Sequence, residues 1–126
     1  MAIRIVCLGS ARTPGEGLRI GTVRRPPRGV PTAQLNSFYD VWLPSLAPSA
    51  ALVKAALAAR TPAQLQSFQR RYRAEMNRPD PRHLLDVLAL LSRSADFSVG
   101  CYCEDEARCH RSILRELLSE RQAVFA

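Results

Sequence analysis

The chain has 126 residues, 47% of them hydrophobic and 23% charged, with a formal net charge of +7. That is enough to bury the core of one domain spanning residues 1–126. No apolar run approaches the roughly 18 residues a membrane span needs, so no membrane partner is expected. The opening residues lack a basic stretch followed by a long apolar one; a cytoplasmic location is the expectation, with the four cysteines reduced, reactive or metal-binding rather than paired in structural disulfides.

Ile3 to Leu8 is a short apolar run closed by Gly9-Ser10, and predicts a first strand. Gly9 to Gly17 reads as a connecting loop; it lacks both the GK[ST] ending of a P-loop and the G-x-G-x-x-G spacing of a dinucleotide site. Leu18 to Val23 predicts a second strand, running into R-R-P-P-R-G-V-P, where the prolines exclude helix and central strand. Arg24, Arg25 and Arg28 crowd that loop and repel unless an anion sits between them; the alternative is a solvated basic loop. Pro44 and Pro48 limit regular structure from Phe38 to Leu46. Ser49 is a good N-cap for an Ala/Leu helix running to Ala59. Thr61-Pro62-Ala63-Gln64 is a capping box with Pro at the first helical position, and the helix behind it puts Leu65, Phe68, Tyr72 and Met76 on one face. The proline-rich Asn77 to Pro81 ends that helix, and His83 to Arg93 forms another, with His83 a surface or capping histidine.

The chemistry gathers in Phe97 to Leu118. Phe97 to Cys103 is uncharged, β-branched, aromatic and small, as in a buried strand. After the acidic connection Glu104–Ala107, a helix is expected over Arg108 to Glu120, with Ile113, Leu114, Leu117 and Leu118 on one side. At about 100° per residue His110 points into that apolar face, Cys109 lies at its edge and Arg111 at its border with solvent. His110 is then either a core histidine bonded to a carbonyl or a catalytic imidazole held neutral. Strands alternating with helices predict a compact layered α/β fold, a small mainly parallel sheet flanked by helices.

Three uses of the cysteines remain open. Cys103 or Cys109 would be a thiolate nucleophile, favoured by the helix N-terminus and by Arg108 or Arg111, although the C-x5-R register of a cysteine phosphatase fails. Cys101, Cys103, Cys109 and His110 would bind zinc, without the separated pairs of most structural sites. Cys103 and Cys109 would form a reversible disulfide. Acidic Glu104 to Glu106 beside Cys103 would oppose its ionisation, but its open position should still make it the first thiol alkylated.

The segment C-Y-C-E-D-E-A-R-C-H-R-S-I-L resembles the carboxy-terminal signature of domain-of-unknown-function family 488, a cysteine and a short acidic loop followed by C-H-R-S. G-L-R-I-G-T-V-R-R-P-P-R-G is similar to the G-Y-R-V-L-V-D-R-L-W-P-R-G of its YeaO-like branch, with further likeness at Leu46–Ser49 and at Phe68, Tyr72 and Glu75. Arg24, Pro27, Arg28, Gly29, Cys103, Cys109, His110 and Arg111 fall on matching positions, whereas Val23 replaces an acid and Pro26 a tryptophan. The resemblance implies a compact α/β domain and supplies no reaction and no cofactor.

The expected site is therefore a pocket at the strand carboxyl ends. Arg24, Arg28 and Arg111 would bind a small anionic ligand, a nucleotide or phosphorylated metabolite, while Cys103, Cys109 and His110 carry any catalysis; the alternative is a ligand-sensing module with the same pocket and no turnover. Nucleic acid is the less favoured partner, since the acids at Glu104–Glu106 would hinder a phosphate backbone.

Overall fold

A computed structural model describes all residues, Met1–Ala126. Four strands form one parallel sheet: β1 (Ile3–Cys7), β2 (Leu18–Gly21), β3 (Val41–Trp42) and β4 (Phe97–Cys101), in the order β1-β4-β2-β3. β4 lies between β1 and β2, with Ile5 and Ile20 both registered on Val99, and all five of its residues are buried. This explains why Phe97–Cys101 carries no charge: a strand with a neighbour on each edge and covered on both faces has no place to solvate one.

Two of the four helices follow the expected caps. Ser49 accepts from Leu52 N at the start of α1 (Ala50–Ala58), and the Thr61–Gln64 capping box opens α2 (Pro62–Met76). The prolines after Asn77 do not merely stop α2; Pro79 opens α3 (Pro79–Leu91), since proline fits a first turn whose N–H groups have no helical acceptor. His83 is accordingly an exposed residue inside that helix rather than its start. The last helix, α4 (His110–Glu120), begins two residues later than its periodicity suggests, because a 3₁₀ turn takes Glu106–Arg108.

The main core joins these helices to one face of the sheet: Leu52, Phe68, Tyr72, Met76, Leu85, Leu114 and Leu118 pack with Ile3, Phe97 and Val99. Tyr72 is fully buried and donates through its hydroxyl to Leu46 O, 2.6 Å away, tying α2 to the turn before α1. Tyr72→Phe leaves that carbonyl without this donor, and should cost about 1–3 kcal/mol in urea unfolding.

The loop Gly9–Gly17 covers part of the opposite face. Arg19 on β2 is 1% exposed and reaches into it, with Nε bonded to Glu16, Nη1 to Ser10 O and Nη2 to Ala11 O. Glu16, itself 3% exposed, also accepts from the backbone and hydroxyl of Thr13. Gly17 closes the loop at φ +72°, and a Cβ there would collide with the carbonyl of Asp96 at the entry to β4. What composition presents as a plain linker is therefore fastened to the sheet by a buried ion pair.

Three strands end earlier than the sequence pattern suggests, β1 by one residue, at Cys7. β2 stops at Gly21, though Thr22 N still reaches Gly100 O at 2.9 Å. β4 stops at Cys101, so Cys103 lies in the following loop and not in the strand. The two-residue β3, unforeseen among the prolines, pairs with β2 through Val41 and Trp42.

Candidate functional site

Strand β4 ends at Cys101, and the chain turns through Tyr102 and Cys103 into the 3₁₀ turn and α4. Asp105 stabilises this reversal by accepting from Ala107 N at 3.0 Å. Cys109 is the N-cap residue of α4 rather than part of its first turn, with extended backbone. The reversal brings three thiols together: the Sγ atoms of Cys101, Cys103 and Cys109 lie within 4.8 Å of one another. Cys101 and Cys109 are buried and in contact, Sγ to Sγ 2.6 Å, while Cys103 is exposed. The closest pair is therefore Cys101 with Cys109, not Cys103 with Cys109.

The ionisation of the trio is divided. Interaction with Cys101, then with Cys109, holds the pKa of Cys103 well below the ordinary thiol value, and the charge of Arg111 adds to this. Cys101 is pushed up chiefly by donating to Cys103. Cys109 is drawn down by Cys101 but raised more by Cys103 and burial. Of the three, Cys103 is thus the sulfur on which a thiolate is favoured. Two members of the acidic run expected to oppose this are engaged elsewhere, Glu106 in a two-point contact with Arg115 and Asp105 on Ala107 N.

His110 is 6% exposed and caught between two partners. Thr22 Oγ1 lies 3.0 Å from Gly100 O and 3.1 Å from His110 Nε2. A hydroxyl has one proton, and a carbonyl only accepts, so Thr22 donates to Gly100 and Nε2–H donates to Thr22. That tautomer leaves the Nδ1 lone pair facing Cys109 Sγ, 3.5 Å away. Burial depresses the imidazole pKa to about 4, keeping it neutral at physiological pH, and the ring packs edge-on against Tyr72 with centroids 5.2 Å apart. The buried histidine is bonded to a side-chain hydroxyl rather than to a carbonyl.

Arg111, expected at the solvent border, is 3% exposed. Its Nη2 donates to Cys103 O, and its Nε is buried without an acceptor. None of the molecule's salt bridges includes it. Burial opposes its charge, and the negative charge of the sulfur cluster offsets that penalty. A buried guanidinium without a carboxylate is tolerable beside a thiolate.

The three sulfurs form a donor set of the kind soft metals take. Tetrahedral thiolate ligands about 2.3 Å from zinc would stand about 3.8 Å apart. The 2.6 Å contact between Cys101 and Cys109 does not fit that spacing.

Of the two arginines expected from the other loop, Arg24 is engaged elsewhere. Arg24 donates through Nε to Pro48 O at 3.0 Å and through Nη2 to Ala47 O at 3.2 Å, clamping its loop to the start of α1. Arg28 is exposed, as is Arg25, whose carbonyl accepts from Tyr102 OH at 2.8 Å, so their loop borders the cysteine loop. Thr22, which sets the histidine tautomer, carries no sequence signal beyond being a polar residue at the end of a predicted strand. Two depressions elsewhere, one bounded by Arg115, Glu116, Ser119 and Glu120 and one between α1 and α2, hold no thiol or imidazole.

Fold and site together define a parallel α/β domain with a cysteine–histidine–arginine cluster where its central strand meets the last helix. The DUF488-N3a family model, described as "Active DUF488-N3 subclade", matches residues 3–122, and the chain belongs to this family of domain-of-unknown-function 488 proteins. No curated protein and no solved structure matches the chain.

Proposed function

We propose that the protein is a thiol-dependent enzyme of the cytoplasm acting on a small anionic substrate, with Cys103 as its nucleophile. The observation that carries this reading is the asymmetry of the trio: one exposed sulfur within 4.8 Å of two buried ones, beside a buried arginine that has no carboxylate. A thiolate is the nucleophilic form of cysteine, and such partners lower the cost of forming it. His110, with Nδ1 on Cys109, is the base that keeps the second thiol ready to give up its proton. Arg25 and Arg28, on the loop joined to Tyr102, supply the positive field that draws an anion to Cys103; Arg24 and Arg111 serve it by holding the two loops in place. The description of the family as an active subclade agrees with a catalytic role.

The test is alkylation of the native protein, followed by mass spectrometry. Cys103 should react first and should still react near pH 5, where an ordinary thiol of pKa about 8.5 is less than about 0.1% ionised. Iodoacetate, an anion, should gain on neutral iodoacetamide relative to a free thiol, and Arg28→Ala should reduce that gain. A Cys103 whose reactivity follows an ordinary thiol titration would end the proposal, and an unchanged reagent ratio would end its anionic part.

A further inference from the structure

We propose that the three cysteines form a relay for two-electron reduction of hydroperoxides: Cys103 is oxidised first, and the disulfide finally rests between Cys101 and Cys109. This rests on the reading of Cys103 as the nucleophile and goes beyond it by naming the reaction. A nucleophile that only transferred an acyl or phosphoryl group would gain nothing from two further thiols behind it. These two are the closest sulfur pair in the molecule, 2.6 Å apart, and only a small approach separates them from bonding distance. They are buried whereas Cys103 is exposed, so an oxidant from solvent meets Cys103 first.

The steps balance with a hydroperoxide ROOH as the oxidant. Cys103 thiolate attacks the outer oxygen; the S–O bond forms, the O–O bond breaks, and RO⁻ takes a proton to leave as ROH. Cys103 is then a sulfenic acid. Cys109 Sγ, giving its proton to His110 Nδ1 at 3.5 Å, attacks Cys103 Sγ; hydroxide departs and takes that proton as water. Cys101 attacks Cys109 Sγ and releases Cys103, to which its proton passes. The sum is two thiols and ROOH converted into one disulfide, ROH and water. The helix N-terminus at Cys109 and the charge of Arg111 favour the anionic sulfur at each exchange.

Hydrogen peroxide is the probe. The reduced protein is treated with one equivalent, quenched by alkylation in denaturant and mapped by mass spectrometry. The expected product is a Cys101–Cys109 disulfide with Cys103 recovered as a free thiol. Cys101→Ser should stop at a Cys103–Cys109 disulfide, and Cys109→Ser should accumulate Cys103 sulfenic acid, trapped by dimedone. Cys103→Ser should slow loss of the Cys101 and Cys109 thiols at least about tenfold, since both are buried. The relay is overturned if the wild-type protein stops at an oxidised Cys103 without any disulfide, or if Cys103→Ser forms the Cys101–Cys109 bond as fast as wild type. It also falls if the three thiols react only after a chelator has removed a bound metal. In the first two cases a Cys103 that still alkylates near pH 5 leaves the nucleophile reading standing; a Cys103 inert to both reagents removes both. The wild-type map decides the matter even if a variant misfolds.

Discussion

Glu16→Gln is expected to cost about 3–5 kcal/mol, because it leaves the guanidinium of Arg19 buried without its counter-charge. For a chain of this size that is a fall in Tm of roughly 10–25 °C, read by circular dichroism. Gln also returns poorer acceptors to Thr13 N and Thr13 Oγ1. The double variant Glu16→Leu, Arg19→Met should be milder than Glu16→Gln alone, since it removes the stranded charge along with its partner. A single variant within about 0.5 kcal/mol of wild type, the size of an ordinary surface change, would show that water solvates Arg19 after all. Glu16 is held down to about 2 by Arg19, so the pair's contribution is present above pH 4.5 and is lost as pH falls towards 2.

A second large effect lies at milder acidity. His110 has a folded pKa of about 4 against an ordinary 6.5, so the unfolded chain binds its proton first. Stability is therefore full above pH 6.5 and declines as pH drops towards 4, by about 3 kcal/mol in total. Cys103 adds its own slope over a wider range, because a thiolate kept in the fold must be protonated on unfolding at acid pH. The informative quantity is the difference between wild type and His110→Gln. Between pH 6.5 and 4 the wild type should lose about 1.4 kcal/mol per pH unit more than the variant. Parallel curves in urea unfolding would mean that His110 is charged in the fold, and that Nδ1 does not face Cys109 as a lone pair.

The sequence discloses the helices better than the strands, and the reason is local. Ser49 and the Thr61–Gln64 box make their hydrogen bonds within three residues, so their meaning needs no tertiary context. β3 is two residues long and exists only because Trp42 and Val41 find β2, which no periodicity can announce. The cysteine cluster is legible as a set of residues but not as a geometry. Spacing places Cys101 and Cys109 eight residues apart; only the 3₁₀ turn and the late start of α4 put their sulfurs in contact. Arg24 and Arg111 show the limit most plainly. A basic residue near an expected pocket suggests an anion, yet each guanidinium is satisfied in part by backbone carbonyls that arrive from other parts of the fold.

The order β1-β4-β2-β3 also bears on how the chain acquires its shape. β1 pairs with no strand but β4, and β2 has only the two-residue β3 until β4 appears. During synthesis, then, the first hundred residues leave the ribosome with their strands unable to close a sheet, while α1, α2 and α3 can already form. The apolar edge of Ile3 and Ile5 must wait for Phe97–Cys101 to be threaded between two strands made long before. A chain stalled short of residue 97 should therefore be helical yet open to protease throughout its first twenty residues, and protection should arrive there in one step once the central strand is out.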